Sequence, residues 1–212
     1  MTTNDQAFLY ACVIGDGHIR QDKTGCLKLC IKHCARQADY LRYKATILGR
    51  ILGKQTAIST FDNNGYPGVY WGVGATALLH STYAKLYPHG KKDVANSGTL
   101  DSLTPEALAV LWMDDGCLSL KKRAGRVHGR EGFLSYYGSY TDVARVCNII
   151  NMKFGLSFSP VKDRTWYRIR TGAAGLKRLI AVIAPYIIPC MQYKIDMQYQ
   201  RGAASRPTTV GR

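Results

Sequence analysis

Two acids, Asp16 and Asp115, occupy equivalent places in two copies of one short motif. The copies are LYACVIGDG (Leu9–Gly17) and LAVLWMDDG (Leu108–Gly116), which begin 99 residues apart. Each is an apolar, helix-like run that ends in Asp-Gly, so each carboxylate is expected at a helix C-terminus, where the partial negative charge of the helix disfavours an anion. A cation beside the carboxylate removes that penalty. The duplication therefore predicts two half-sites that share metal ions.

Carboxylate-bound divalent metal ions are suited to the hydrolysis of phosphodiesters. Bound Mg²⁺ can activate a water molecule, neutralise the scissile phosphate and stabilise the leaving oxygen. Two carboxylates brought together repel each other unless a metal ion neutralises them. The alternative, two helix-terminating surface acids, does not account for the duplication.

The charge of the chain favours a polyanionic partner. The 212 residues include 29 Lys and Arg against 14 Asp and Glu, a formal net charge of +15. The excess lies mostly in residues 117–195, which hold 14 basic and three acidic residues, whereas residues 1–116 hold 12 basic and 10 acidic ones. This excess is larger than solubility requires, so nucleic acid is the first expectation and an anionic membrane surface the second.

The cysteines and the N-terminal residues predict an intracellular protein. The seven cysteines are an odd number, which is typical of reduced thiols rather than of a disulfide framework. The start, MTTNDQ, lacks the basic region of a secretory signal, and the apolar run Ala7–Ile14 is too short to span a membrane. We expect no membrane partner and a location in the cytoplasm of a prokaryotic or phage-infected host, or in an organelle matrix.

A second group of metal-ligand types is formed by Cys26, Cys30 and Cys34 together with His33. Spacings of four residues along a strand place the three sulfurs on one face but spread them over a long distance, at about 3.3 Å per residue. A tetrahedral zinc site needs its ligands converged, so the strand pattern argues against zinc.

The order of the elements repeats after each motif copy: a strand-rich stretch, a helix, two strands and a second helix. The first half predicts a strand at Leu27–Cys34, a helix at Gln37–Leu52 ending at Gly53, strands at Thr56–Phe61 and Val69–Val73 around an Asn-Asn-Gly-Tyr-Pro turn, and a helix at Ala75–Tyr87. The second half predicts strands at Leu118–Arg123 and Phe133–Tyr137 around a basic, glycine-containing loop, a helix at Thr141–Phe154, strands at Ser157–Lys162 and Trp166–Arg170, and a helix at Gly175–Ala184. This order predicts an α+β fold with the strands grouped on one surface and the helices on the other.

One face of the predicted strands is basic. In the strand Leu27–Cys34, apolar residues and His33 alternate with cysteines and lysines. The residues expected to face away from the helices include Lys28, Lys32, Arg168 and Arg170. A β-ribbon is narrow enough to enter the major groove, so this face is expected to follow a DNA duplex.

The repeat also sets the expected domain boundaries. We predict a first half at residues 1–98 with a linker to about residue 103, because Asp93–Leu103 is polar and turn-rich. The second half is expected at residues 104–200, where Thr104 and Pro105 form a good N-cap and first helical residue. The polar residues 201–212 are expected to be a disordered tail.

The two motif copies resemble those of the single-chain LAGLIDADG homing endonucleases. The second copy matches well in the longer form LTPEALAVLWMDDG, and IAPYIIPCMQYKI (Ile183–Ile195) looks like the closing helix and loop of the same branch. The resemblance covers roughly residues 7–196. It implies two pseudo-symmetric α+β halves, with the two motif helices side by side at the internal interface and a β-saddle over DNA.

The resemblance also implies roles for particular residues. Asp16 and Asp115, the last acid of each copy, would bind Mg²⁺, with Mn²⁺ able to substitute, and the residues before them, Gly15 and Asp114, would offer backbone carbonyls. The first copy has Ile14 and Gly15 where the family pattern has Asp-Ala. We do not count that departure against activity, because the missing acid is usually structural.

Two lysines match the active-site lysines of this branch by position. Lys92 follows Asp16 by 76 residues and Lys194 follows Asp115 by 79, so the internal repeat supports the same pairing. Such a lysine polarises water or stabilises phosphate charge. Lys91 is the rival for the first position.

The DNA-binding candidates are basic residues on the expected strand surface and its loops. They are Arg20, Lys23, Lys28, Lys32, Lys121, Lys122, Arg123, Arg126, Arg130, Lys162, Arg164, Arg168 and Arg170. Arginine suits bidentate recognition of guanine, whereas lysine mainly anchors phosphate. His18 is within reach of phosphate by its position, but a packed or solvated histidine is the simpler interpretation.

The sequence therefore predicts a monomeric, Mg²⁺-dependent endonuclease that cuts double-stranded DNA at a specific site, a homing endonuclease. The first alternative is an RNA maturase or a non-cleaving, sequence-specific nucleic-acid-binding protein of the same fold. Retention of both acids and both lysines argues against a decayed enzyme but leaves the maturase open. A generic basic structural protein, the second alternative, does not explain the duplication.

Overall fold

A computed structural model describes residues 2–124 and 126–198 of the chain. The residues expected to form a disordered tail, 201–212, lie outside the described part. In the first half the elements are α1 (Thr3–Ile14), β1 (Gly17–Gln21), β2 (Leu27–Cys34), α2 (Ala38–Leu52), β3 (Ser59–Asn63), β4 (Tyr66–Gly74) and α3 (Ala77–Leu86). In the second half they are α4 (Pro105–Asp115), β5 (Gly116–Arg123), β6 (Arg126–Gly138), α5 (Tyr140–Phe154), β7 (Phe158–Asp163), β8 (Trp166–Thr171) and α6 (Ala173–Ile183). Short 3-10 turns lie at Ala35–Gln37, Thr99–Ser102, Ala184–Tyr186 and Pro189–Lys194.

The two halves form antiparallel sheets of the same strand order. The first sheet runs β1-β2-β4-β3 and the second runs β5-β6-β8-β7. A shared order in two consecutive segments is what an internal repeat predicts. The α+β fold with two equivalent halves is therefore confirmed.

The two motif helices are buried at the centre of the molecule, where α1 packs against α4. Seven consecutive residues of each helix, Ala7–Val13 and Ala107–Met113, are buried. A helix that is apolar on every side is stable only when it is enclosed, so the all-round apolar motif dictates this central position. Buried side chains of both halves join into one core around the two helices.

Local signals in the sequence begin and end the elements. The side chain of Thr104 accepts a hydrogen bond from the amide of Ala107 and caps α4, with Pro105 as the first helical residue. Gly53 ends α2 in the left-handed conformation, with φ of 64°. The β3–β4 hairpin turns at Asn64 and Gly65, both with positive φ (53° and 84°), as a tight hairpin turn requires.

The strand β2 shows the predicted alternation. Leu27, Leu29, Ile31 and His33 are buried, whereas Lys28, Cys30, Lys32 and Cys34 are half-buried or exposed. The buried side of the sheet therefore faces the helices, and the lysines lie on the opposite side.

The prediction of a loop between Arg123 and Phe133 is wrong, because β6 already begins at Arg126. The register between β5 and β6 shifts at Lys121 and Lys122, and Gly129 has φ of 145°. A bulge of this kind takes up the extra residue without ending the hairpin. The glycine and the charges that indicated a loop are therefore features of a long, irregular hairpin.

The polar segment between the halves is more ordered than its composition indicates. Residues Thr99–Ser102 form a 3-10 turn in which Thr99 and Leu100 are buried, and this turn packs against α1. In residues 2–124 and 126–198, no helix combines the length and the apolar character that a membrane crossing needs.

Candidate active site

Asp16 and Asp115 meet at one end of the central helix pair. The packing of α1 against α4 brings the two Asp-Gly sequences together, since the amide of Asp16 donates to Asp114 Oδ2 at 3.0 Å. The charge of Asp115 contributes to the raised pKa of Asp16, as expected for neighbouring carboxylates. The side chain of Asp16 is about one-third exposed, at 37%. The arrangement brings one acid from each half into a common, solvent-accessible site.

The ammonium groups of Lys92 and Lys194 lie at the ends of the two motif helices. The Nζ atom of Lys92 donates hydrogen bonds to the carbonyls of Val13 (2.6 Å), Ile14 (3.2 Å) and Gly17 (3.1 Å). The Nζ atom of Lys194 donates to the carbonyls of Asp114 (3.2 Å) and Gly116 (2.8 Å). A cation at this position satisfies free carbonyls and complements the negative end of the helix.

Burial and mutual repulsion make both acids weak. Burial, followed by the charge of Asp114, raises the pKa of Asp16 to about 7 and that of Asp115 to about 6. Burial lowers the pKa of Lys92 and of Lys194, although the nearby carboxylates oppose this. Carboxyl groups that retain protons near neutral pH exchange them readily for a cation. The electrostatics therefore fit a site that is completed by a metal ion.

Carboxylate and carbonyl oxygens of the predicted residues suit a hard divalent cation. An oxygen of Asp16, an oxygen of Asp114 and a nitrogen of His33 lie within 4.8 Å of one another. The side chain of Asp114, however, is fully buried and has protein partners, and its backbone carbonyl accepts from Lys194. The side chains of Asp16 and Asp115 are therefore the better candidates for holding a metal ion.

Sequence reasoning missed a buried network beside Asp16. The carboxylate of Asp114 accepts hydrogen bonds from Lys44 Nζ (2.5 Å) and from the hydroxyl of Tyr40 (2.7 Å). His33 lies between Lys44 and Asp16, with its Nε2 atom 3.3 Å from Lys44 Nζ and its Nδ1 atom 3.5 Å from Asp16 Oδ2. Burial and the charge of Lys44 lower the pKa of His33 to about 4, so this imidazole is neutral at physiological pH.

One signal in the sequence does point to Lys44. Leu41, Ala45 and Leu48 form the buried face of α2, and Lys44 lies on that face without any exposure. A lysine on an apolar helix face must find an anion, because an unpaired buried charge is strongly unfavourable. The identity of that anion, 70 residues away in the other half, is not encoded locally.

A groove leads from Asp16 along the exposed side of the first sheet. Its lining includes four residues that the sequence singled out for phosphate or DNA contact, together with neutral polar and aromatic side chains: Asp16, His18, Arg20, Lys28, Cys30, Lys32, Ser59, Thr60, Phe61 and Tyr70. Arg20 pairs across the strands with Lys28. Lys28 lies over the ring of Tyr70 and Lys32 lies over the ring of Phe61. The basic face expected from β2 therefore begins at Asp16.

The basic residues of the second half differ in their exposure and in whether they form ion pairs. Arg170 forms an ion pair with Glu131 (2.6 Å), and Arg168 lies 3.3 Å from Asp163 and 4.0 Å from the ring centroid of Phe133. Arg130 is buried, with 8% exposure. Other candidates are exposed, namely Lys23 in the first half and Lys121, Arg126, Lys162 and Arg164 in the second. The side chains of Lys122 and Arg123 lie outside what the structure describes.

Comparison with known proteins finds relatives over most of the chain. Residues 7–179 match the model of the LAGLIDADG DNA endonuclease family. The chain is 24% identical to the DNA endonuclease I-ChuI of Chlamydomonas applanata, over 92% of this chain and 96% of that protein. It is 25% identical to the cytochrome b mRNA maturase bI2 of Saccharomyces cerevisiae, over 92% of this chain and 48% of the maturase.

A similar likeness links the chain to the RecA protein of Mycobacterium gastri, at 27% identity over 93% of this chain and 48% of that protein. The chain thus spans about half the length of these RecA and maturase relatives. Among solved structures, the homing endonuclease I-WcaI bound to its DNA recognition sequence matches with a TM-score of 0.73 and 20% identity, over 93% of this chain and 88% of that chain. At this identity the likeness establishes a shared fold.

Proposed function

The chain belongs to the LAGLIDADG DNA endonuclease family, and from this premise we propose that it is a homing endonuclease that cuts both strands of a specific DNA site with a divalent metal ion. One observation carries the proposal. Two acids from the two halves meet at the end of a central helix pair, each with a lysine ammonium at the end of its helix and with a basic groove leading away from Asp16. This arrangement supplies the groups that phosphodiester hydrolysis needs.

In this proposal Asp16 and Asp115 hold Mg²⁺, with Mn²⁺ able to substitute, and the carbonyls of Gly15 and Asp114 are further ligands. The bound metal would supply Lewis-acid activation of water and neutralisation of phosphate charge. The raised pKa values of the two acids support the assignment, since each carboxyl gives up its proton on binding a cation.

Lys92 and Lys194 act beside the acids. Burial lowers the pKa of each ammonium, which makes the loss of a proton to a reacting oxygen easier than from an ordinary lysine. In its charged form each ammonium stabilises negative charge that develops on the phosphate. Each lysine binds carbonyls at the end of one motif helix, and the charge of Asp115 acts on both lysines.

The partner in this proposal is a DNA duplex that lies across both sheets. Lys28, Lys32 and Arg20 line the groove of the first sheet, and exposed basic residues of β5–β8 extend the contact over the second. The halves at residues 1–98 and 104–200 each supply one half-site, so a monomer is sufficient. We also propose an intracellular location in the compartment that holds the DNA target.

An RNA maturase is the second candidate function, because the chain resembles a cytochrome b mRNA maturase over 92% of its length. The basic face binds the phosphate backbone of either nucleic acid, so binding alone does not separate the two functions. Cleavage does, since splicing assistance needs no hydrolysis of DNA.

The test is incubation of the purified protein with a library of random duplex sites, with Mg²⁺ or with EDTA. The proposal predicts that ends from one sequence family accumulate with Mg²⁺ and are absent with EDTA. Binding of intron RNA without any cut duplex would reject the endonuclease and favour the maturase.

A further inference from the structure

The two equivalent acids are held in different ways. Asp115 is the last residue of α4, whereas α1 ends at Ile14, two residues before Asp16. Gly15 leaves the helix with ψ of −126°. The amide of Asp16 therefore points away from the helix and donates a hydrogen bond to Asp114 Oδ2 at 3.0 Å. A residue of the second half thus supplies the bond that fixes the acid of the first half.

Asp114 is itself fixed by the first half. Its other oxygen, Oδ1, accepts from Lys44 Nζ and from the hydroxyl of Tyr40, both on α2. The side chains of Lys44 and Asp114 are completely buried. Separating a buried ion pair leaves an uncompensated charge. The Asp114 side chain is therefore strongly held in this orientation.

Gly15 makes room for that carboxylate. A Cβ atom built on Gly15 would lie 2.2 Å from Asp114 Oδ2, far inside van der Waals contact. Gly15 and Asp114 hold the same place in the two motif copies. The carboxylate of Asp114, from the second copy, thus occupies the space that a side chain at position 15 of the first copy would fill.

His33 makes a second link to Asp16. Its Nε2 atom faces the ammonium of Lys44, so that atom is an acceptor, and its Nδ1 atom lies 3.2 Å from Gln37 Oε1 and 3.5 Å from Asp16 Oδ2. These contacts assign the proton to Nδ1, which donates to Gln37 Oε1. His33 therefore packs beside Asp16, and both of its ring nitrogens are engaged by Gln37 and Lys44.

The surroundings of Asp115 differ. The small pocket beside it is lined mainly by apolar side chains, among them Ile14, Leu111 and Leu134. Asp115 is the last residue of α4, the Gly116 amide after it donates to the carbonyl of Trp112, and Lys194 donates to the carbonyls of Asp114 and Gly116 on either side.

We propose that Asp114 and Lys44 are positioning residues for Asp16, and that cleavage of the DNA strand served by Asp16 depends on them more than cleavage of the other strand does. This inference rests on the proposed endonuclease function. The strand affected is the one served by Asp16, which is identified as the strand whose cleavage slows more in Asp16→Asn than in Asp115→Asn.

The first test is strand-resolved cleavage of a doubly labelled duplex by Lys44→Met and by the double variant Lys44→Met/Asp114→Leu. Replacing both members of a buried ion pair by apolar residues is often neutral for stability, so the double variant keeps the protein folded if the single variant does not. Both variants are expected to slow the Asp16-served strand about tenfold or more relative to the other strand, so that nicked DNA accumulates. The matched control is Arg50→Met, on the same helix, which breaks only an exposed ion pair with Asp5 of α1 (2.8 Å) and is expected to leave both strand rates unchanged.

Equal slowing of both strands, or parental rates in the double variant, would overturn the proposal and assign the ion pair a merely structural role.

A second measurement separates this inference from the proposed function. In metal-free, DNA-free protein, the double variant is expected to increase hydrogen exchange at the Asp16 amide at least tenfold while leaving the Asp115 amide unchanged. Unchanged exchange at Asp16 would also overturn the proposal. Because this readout involves no cleavage, it remains decisive even if the protein fails to cut DNA.

Discussion

At the scale of single residues, ionisation of the acids at the helix ends destabilises the metal-free protein, but the proposed metal site needs them ionised. Burial and the charge of Asp114 raise the pKa of Asp16 to about 7, so ionising this group in the metal-free protein costs stability. A bound metal ion would make ionisation of Asp16 favourable to stability, because the ion binds only the ionised carboxylate. If Asp16 is a metal ligand as proposed, the same residue links folding, pH and metal binding.

This linkage predicts a pH-dependent effect of metal on stability. The pKa of Asp16 is higher in the folded protein than its ordinary 3.8, so its stabilising contribution is complete below about pH 4 and is lost as the pH rises through about 7. Mg²⁺ is expected to raise the Tm at pH 7.5 much more than at pH 5. In metal-free buffer at pH 7.5, Asp16→Asn should have a higher Tm than the parent, as measured by differential scanning calorimetry. A lower Tm for that variant would show that ionisation of Asp16 does not destabilise the folded protein.

The two lysines predict unequal cleavage of the strands. Lys92→Met and Lys194→Met are each expected to reduce cleavage roughly 10²-fold, a common scale for acid–base or electrostatic assistance. Because Lys92 donates to three carbonyls and Lys194 to two, and the acids beside them differ in their partners, nicked intermediates should accumulate to different extents. Strand-resolved kinetics measures this, with Lys91→Met as the control. Parental rates on both strands in both variants would exclude these lysines from the active site and direct attention to Lys91.

At the scale of elements, the parts of the fold encoded by short-range signals could be predicted and the parts encoded by distant partners could not. Gly53, the Asn64-Gly65 turn and the Thr104 cap act on their own neighbours, and the elements they bound agree with the sequence to within a few residues. The early start of β6 depends on pairing with β5 and was missed. Lys44 is the corresponding case in the site, since its partner Asp114 comes from the other half.

The cap of the second motif helix offers a prediction at this scale. Thr104→Ala removes the acceptor for the amide of Ala107 and is expected to reduce the free energy of unfolding by about 0.5–2 kcal/mol. Thr141→Ala, in the first turn of α5, is the matched control, because Ser139 caps that helix instead. Urea denaturation compares the two variants. Equal, negligible losses would mean that the cap does not stabilise α4.

At the scale of the whole molecule, the net charge of +15 predicts how the proposed DNA partner is bound. Each phosphate that the protein neutralises releases condensed counterions, so affinity for a duplex should fall with salt at a log–log slope of about −0.9 per phosphate. Fluorescence anisotropy from low to moderate salt measures this slope. Residues 117–195 hold most of the excess charge. Lys162→Ala in this segment should therefore reduce the slope by the contribution of about one phosphate contact. Lys54→Ala, a lysine of the first half, is the control and should leave the slope unchanged. A slope near zero would reject phosphate neutralisation as the source of affinity.

The central claim is that one acid from each half of a single chain completes a metal-dependent site for cutting both strands. Cleavage of an identified target by the parent, Asp16→Asn and Asp115→Asn, with binding measured in parallel, tests it most directly. The account predicts that either replacement abolishes double-strand cleavage in Mg²⁺ while the affinity for the target remains within a few-fold of the parent. Full double-strand cleavage by Asp115→Asn, or by Asp16→Asn, would contradict the claim.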